Sequence, residues 1–199
     1  MNRTVTLHEG EHLSLTLLAL PSSCAFTADG VEGVEVVGGE YGLEVNLDGR
    51  GASLDIRGLY LCAGEDDVKV NITVRHNVPG CVSRQLLKGV ADGRSKFAFN
   101  GLIYVREGAF GTSAMQENHS LLMSGEAVVQ TRPQLEIYAD DVECSHGATI
   151  GYLNAEEQFY MRSRGIPEAE ARKLQIVSFL SPVMSGLDGQ LREKILGLL

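Results

Sequence analysis

The densest cluster of residues that could do chemistry lies between Asp140 and Gly147, where the sequence reads Asp-Asp-Val-Glu-Cys-Ser-His-Gly. Side chains of an extended strand alternate between its two faces, so Cys144 and His146 are expected on the same face. A thiolate and an imidazole presented together can bind a soft metal ion. Two ligands are too few for a stable site, so a partner chain or sulfide would have to complete it. The alternative is a buried cysteine beside a histidine that hydrogen-bonds a turn.

The four cysteines lack the C-x-x-C spacing of a zinc ribbon or a redox dithiol. They are Cys24, Cys62, Cys81 and Cys144. Their low density favours isolated buried thiols in a reducing cytoplasm, and two disulfides in a secreted protein are the alternative. Cys81 and His76 flank a Pro-Gly turn, where ordinary loop packing is favoured over metal binding.

The composition excludes several classes of protein. The chain has 199 residues, of which 44% are hydrophobic and 22% charged, a balance typical of a soluble globular protein. Its net charge of -9 argues against a nucleic-acid or anionic-membrane surface, because both need clustered Lys and Arg. The sequence contains no P-loop, no G-x-G-x-x-G and no G-x-S-x-G motif, so no catalytic residue is assigned.

The apolar run from Leu13 to Leu20 is far shorter than the roughly 20 residues that a membrane span needs. Arg3 is the only basic residue before it, whereas a signal peptide begins with a positively charged segment. We interpret the run as a buried strand of a cytoplasmic protein.

The elements that must position the cysteine and histidine are short β-strands. In Val68–Val74, apolar residues alternate strictly with polar ones, a pattern that buries one face of a strand. The clearest strands, each of three to seven residues, are 45–47, 53–56, 59–62, 68–74, 97–99, 102–105 and 134–138. Breakers separate them, and they include Gly58, Gly64, Pro79-Gly80, Asp92-Gly93 and Asn100-Gly101.

Frequent turns between short strands fit a sandwich, a barrel or a β-solenoid. Most strands lack a partner at hairpin spacing, and small residues such as Gly111–Ala114 suit the corners of a stacked coil. Both features favour the solenoid. No exact sequence repeat is visible, however, so periodicity alone leaves the sandwich open.

The character of the sequence changes near Asn154, which can cap a helix that Gly165 ends. Pro167 suits the first position of a second helix, whose predicted apolar stripe is Ala171, Leu174, Val177, Leu180 and Met184. Pro182 is expected to bend or end that helix. Asp188 can cap a last helix with Leu191, Ile195 and Leu198 on one side.

Four segments resemble the SufD family of iron–sulfur cluster assembly proteins: 83–90, 99–101, 133–151 and 156–166. The Cys-Ser-His-Gly-Ala-Thr segment and the Phe-Tyr-Met-Arg-Ser-Arg-Gly helix are nearer to SufD than to its paralogue SufB. The resemblance runs from about Leu47 to the C-terminus. It implies a right-handed parallel β-helix over residues 1–152 and a helical domain over 153–199. Family members usually carry a helical region before the β-helix, so the chain resembles a short form.

The resemblance also implies a function. In the family, SufD pairs with SufB through their β-helices, and the helical domains dock the ATPase SufC, which supplies ATP hydrolysis. The chain would thus be a non-catalytic scaffold subunit. The residue that matches the family's interface histidine is His146, which would help to build a transient iron–sulfur cluster with a SufB cysteine. No cluster would be held stably by this chain alone. Cys144 would have a supporting role.

The matching region for ATPase docking contains Phe159, Arg162, Arg164, Leu174 and Val177. A homodimer is possible in isolation, and neither nucleic acid nor membrane is expected as a partner. Two further functions stay open: a β-solenoid carbohydrate-active enzyme that uses Asp140 and Asp141, and a self-associating structural solenoid.

Overall fold

The structure is a computed structural model, which describes residues 2–22 and 33–199. Over these residues the chain forms eleven β-strands followed by three α-helices. The strands are β1 Asn2–Leu7, β2 His12–Ala19, β3 Val34–Val36, β4 Glu40–Leu47, β5 Ser53–Cys62, β6 Asp67–His76, β7 Val82–Ala91, β8 Lys96–Val105, β9 Ser113–Leu122, β10 Val128–Ile137 and β11 Glu143–Gly151. The helices are α1 Ala155–Ser163, α2 Glu168–Met184 and α3 Gly189–Gly197.

From β4 onward, each strand lies in the opposite sheet from the strand before it. The first sheet has the order β1-β4-β6-β8-β10, and the second has the order β11-β9-β7-β5-β2-β3. Each strand pair in the described part of the chain is parallel, which excludes the antiparallel sandwich. The chain is therefore mainly β, a β-solenoid of about four turns with a C-terminal helical segment, and this part of the prediction is confirmed.

Burial alternates along the strands as the sequence pattern predicted. Along β6, Val68, Val70, Ile72 and Val74 point into the core. The run at Leu13–Leu20 is also a strand, β2, in which Leu15, Leu17 and Leu18 are buried. No helix in the two described ranges is long and apolar enough to cross a membrane.

The predicted strand lengths were wrong, because six of the strands have ten residues each. Gly58 and Gly101 were predicted to end strands, yet they lie inside β5 and β8. A Cβ atom at Gly58 would lie 2.6 Å from Cγ of Leu87, and one at Gly101 would lie 2.4 Å from the amide of Gln116. Both glycines therefore leave room for a neighbouring side chain. Gly64, Gly80 and Gly93 do lie in turns, with positive φ.

The helices α2 and α3 pack on the outer face of the second sheet, where Leu180 and Ile195 are fully buried against Leu59 and Leu61. Asn154 and Asp188 cap α1 and α3 as predicted. Pro167 is the N-cap of α2 rather than its first residue, and Pro182 lies inside the helix, two residues before its end. The buried residues of α2 are Ala171, Ile176, Leu180, Val183 and Met184.

Candidate functional site

The solenoid ends in two strands that each have one free side. β10 is the last strand of the first sheet and pairs with β8, and β11 is the last strand of the second sheet and pairs with β9. Within the described residues no further strand covers either edge. We call this region, formed by β10 and β11, the open end. Unpaired edges of this kind expose N–H and C=O groups that can pair with another chain.

Cys144 and His146 lie on the same, inward-facing side of β11. Their register partners on β9 are Ala114 and Gln116, which are both buried in the interior of the solenoid. His146 is nevertheless exposed, because β11 is an edge strand and, within the described residues, no further strand stacks beyond it. The structure thus places an imidazole at a core position of the last solenoid turn, which has a neighbouring turn on one side only.

The Cys144 side chain is half-buried and packs against an apolar cluster that includes Ile103, Val105 and Ala114. Burial raises the pKa of the Cys144 thiol, although a backbone hydrogen bond from Ala114 acts in the opposite direction. A raised thiol pKa disfavours the thiolate, which is the form that binds metal. The environment of Cys144 therefore favours a packing role.

Two buried glutamines occupy the positions that correspond to His146 in the two preceding turns of the solenoid. Gln85 of β7, Gln116 of β9 and His146 of β11 are successive register partners. Nε2 of Gln116 donates a hydrogen bond to Oε1 of Gln85 over 3.1 Å, and both side chains are buried. Oε1 of Gln116 has no hydrogen-bond partner.

Asp140 and Asp141 of the sequence cluster lie at the corner before β11, and Glu143 is the first residue of that strand. Asp141 has a positive φ of 54°, and its carbonyl oxygen accepts a hydrogen bond from the Gly111 amide. In the described part of the chain, no three His, Cys, Asp or Glu side chains lie close enough together to hold a metal ion.

A second exposed surface lies on the helices. α1 has no buried residue, and Phe159 is 74% exposed, Tyr160 60% and Leu174 45%. An open groove of about 650 Å³ separates α1 from α2 and is lined in part by Tyr160, Met161 and Leu174. We call Phe159, Tyr160, Leu174 and this groove the α1–α2 surface.

The other predicted docking residues lie around this surface. Arg162 lies 3.6 Å from Glu168 in an exposed ion pair, and Arg164 stands over the Tyr160 ring at 5.4 Å. Val177 is half-buried. Leu174 belongs to the predicted apolar stripe of α2 as well as to the docking region, and it is exposed on the helix surface.

Residues 40–179 match the family described as "SUF system FeS cluster assembly, SufBD core domain". The match covers well over half of the chain. The chain belongs to the SufBD family.

Relatives within this family carry the name predicted from the resemblance. The iron–sulfur cluster assembly protein SufD of Escherichia coli is 36% identical over 181 residues, which is 90% of this chain and 42% of the relative. The SufD of Bacillus subtilis is 32% identical over 142 residues, or 71% of this chain and 32% of the relative. A SufBD family protein of Synechocystis is 34% identical over 158 residues, or 77% of this chain and 35% of the relative. The SufD assignment is confirmed, and the chain spans less than half the length of these relatives.

The SufBD match contains both surfaces described above, since it runs from β4 into α2. Two of the other cysteines of this SufD-family chain have a structural character. Cys62 and Cys81 are buried free thiols, and burial raises the pKa of Cys62 to about 12. Cys24 lies outside the described residues.

The sequence reasoning missed Gln85 and Gln116. β9 was not predicted as a strand, because its inward positions include Gln116, Asn118 and Ser120, and the apolar alternation that marks a strand is absent there. A usable signal was the match of spacing between Gln85, Gln116 and His146, which are 31 and 30 residues apart and so recur once per solenoid turn.

Proposed function

We propose that this SufBD-family chain is a non-catalytic scaffold subunit for iron–sulfur cluster assembly. It pairs with a SufB-like subunit through the open end and docks a SufC-like ATPase through the α1–α2 surface. The relatives named SufD are called iron–sulfur cluster assembly proteins, and this supports the process. The site of action proposed is the cytoplasm.

The observation that carries the proposal is the position of His146 on the open end. An imidazole at a core position, on a strand with a free edge, becomes an interface group as soon as another chain pairs with that strand. A neutral imidazole is a competent iron ligand. The iron and sulfide are cargo. Among the described residues, no group of three metal-binding side chains includes His146. Ligands from the partner would complete the coordination of the nascent cluster.

The α1–α2 surface supports the second contact. Exposed aromatic and aliphatic side chains beside a groove are the features of an interface that buries apolar anchors from a partner. Phe159 and Leu174 are the proposed anchors, with Arg162 and Arg164 at the rim. The sequence holds no P-loop, so the proposal assigns ATP hydrolysis to the docked partner.

Co-purification tests the proposed complex. The chain is co-expressed with a SufB-like and a SufC-like protein, and one subunit is tagged. We expect a complex that contains all three proteins. A chain that elutes alone, or as a dimer of itself in the presence of both partners, would contradict the proposal and favour the self-associating solenoid.

The role of His146 is tested in the assembled complex. His146→Ala should leave the complex intact and lower the yield of reconstituted cluster, measured by the absorbance of iron–sulfide charge transfer. His8→Ala is the matched control, since His8 is exposed and far from the open end in the sequence. Equal cluster yields from the two variants would sink the proposed role of His146.

A further inference from the structure

Gln116 has one half of its amide group in use and the other half free. Its nitrogen donates to Gln85 on β7, which is the neighbour of β9 on one side. The neighbour of β9 on the other side is β11, which carries His146 in register with Gln116. The oxygen of the Gln116 amide has no hydrogen-bond partner, and it lies against Gly101 of β8.

The side chain of Gln116 is held in a tight space. It is fully buried, and Gly101 on the opposite sheet leaves room for it, because a Cβ atom there would lie 2.4 Å from either amide terminus. In this arrangement the Gln116 nitrogen donates to Gln85, and the Gln116 oxygen is left without a partner. A buried carbonyl oxygen without a partner is unfavourable, so a donor at the neighbouring position would be accepted readily.

We propose that Gln116 is a positioning residue for His146. The Oε1 atom of Gln116 has no partner in this structure, and it accepts the N–H of the His146 ring when the two side chains turn toward each other. This bond continues the side-chain ladder that Gln85 and Gln116 begin. A ring nitrogen that donates to a fixed acceptor must carry the proton, so the second ring nitrogen keeps its lone pair and points away from the ladder. Metal-binding histidines are commonly oriented by such an acceptor. The last step, that the free nitrogen receives iron, rests on the proposed function.

The tautomer of His146 can be measured in the unmodified protein. Long-range proton–nitrogen correlation spectra detect both ring nitrogens through the carbon-bound ring protons, in buffer alkaline enough to keep the rings neutral. We expect His146 to show two widely separated nitrogen shifts, the pattern of a single tautomer. Exposed His8 serves as the internal reference and should show the partly averaged shifts of a free imidazole. Averaged shifts for His146 in the wild-type protein would overturn the proposal.

Two variants of Gln116 then test whether this residue is the cause. Gln116→Met keeps the length of the side chain and removes the acceptor, so the nitrogen shifts of His146 should move toward those of His8. Gln116→Glu keeps an acceptor oxygen, and the single tautomer should persist. Circular dichroism establishes that both variants are folded. A single tautomer that persists in folded Gln116→Met would rule Gln116 out, and the wild-type spectrum decides the question if a variant does not fold.

The outcome is separable from that of the proposed function. If His146→Ala assembles clusters normally while the spectra show a Gln116-dependent tautomer, the positioning inference stands and the proposed role of His146 falls. If the cluster yield depends on His146 but the tautomer is unaffected by Gln116→Met, the proposed role of His146 stands and the positioning inference falls.

Discussion

Several buried polar side chains inside the solenoid form hydrogen bonds with residues of other strands. His76 is fully buried, and its Nε2 atom shares a hydrogen bond of 2.9 Å with Oγ of Ser83. Gln116 is held by Gln85 in the same region. Such contacts make a core position specific for one side chain, because replacement of one partner leaves the other buried and unpaired.

The buried histidine makes the stability of the fold depend on pH. Burial lowers the pKa of His76 to about 4, whereas an unfolded histidine has a pKa near 6.5. The unfolded state therefore binds a proton first, and stability present above about pH 6.5 is lost as the pH falls toward 4. The loss attributable to His76 is roughly 3 kcal/mol. Urea unfolding from pH 7 to pH 4 should show a steeper fall for wild type than for His76→Leu, and equal slopes would contradict this account.

Gly101 is expected to be intolerant of a side chain. Gly101→Ala would drive a methyl group into the amide of Gln116, which is fully buried and hydrogen-bonded to Gln85 and so has little room to move. The substitution should destabilise the fold by about 1–3 kcal/mol. Thermal unfolding measures the effect, and Gly125→Ala is the control, because a Cβ atom at Gly125 meets nothing within 4 Å. In the double variant Gly101→Ala/Gln116→Ala, the shorter side chain at position 116 makes room for the new methyl group. The loss of stability should therefore differ strongly from the sum of the losses in the two single variants. Simple additivity would show that the two residues do not share the space.

At this scale the sequence predicted the site unevenly. Cys144 and His146 could be placed on one face from the alternation of an extended strand alone. Gln116 could not be linked to the site, because His146, its register partner, is one solenoid turn away in the sequence. In addition, β9 lacks the apolar alternation that marks a strand. The raised pKa of Cys144 also depends on packing against Ile103 and Val105, which no local pattern encodes.

At the scale of elements, α2 separates a packing face from an exposed face. The predicted stripe used a spacing of three, which drifts around a helix that has 3.6 residues per turn. Ile176 and Val183 lie outside the predicted stripe and pack on the outer face of the second sheet, whereas Leu174 of the stripe is exposed. The predicted strand lengths were wrong for a related reason. Gly58 and Gly101 make room for side chains of other strands, but in the sequence they resemble residues that end a strand.

Two leucines on α2 should therefore respond differently to truncation. Leu180 is fully buried against the second sheet, and Leu180→Ala should lower the free energy of unfolding by about 2–5 kcal/mol. Leu174 is 45% exposed, and Leu174→Ala should change it by no more than about 0.5 kcal/mol. Urea unfolding of both variants measures the difference. Comparable losses would mean that Leu174 is part of the core after all.

At the scale of the whole molecule, the two proposed contact surfaces lie on different elements. The open end is formed by β10 and β11, whereas the α1–α2 surface lies on the helices that follow Gly151. Ala148 is exposed on the inward face of β11, two residues from His146, and Leu174 is exposed beside the groove. A charge placed at either position can block one contact without entering the core.

The two contacts should consequently fail one at a time. Ala148→Glu puts an unpaired charge into the proposed SufB-like interface, where its desolvation is unfavourable, so pairing should weaken at least tenfold while ATPase docking is kept. Leu174→Asp should do the opposite, because it removes an apolar anchor from the α1–α2 surface. Pull-downs with each partner separately, using the same tagged chain, measure both contacts. Loss of both partners by a folded single variant would show that the surfaces act as one, since neither substitution alone touches the other surface.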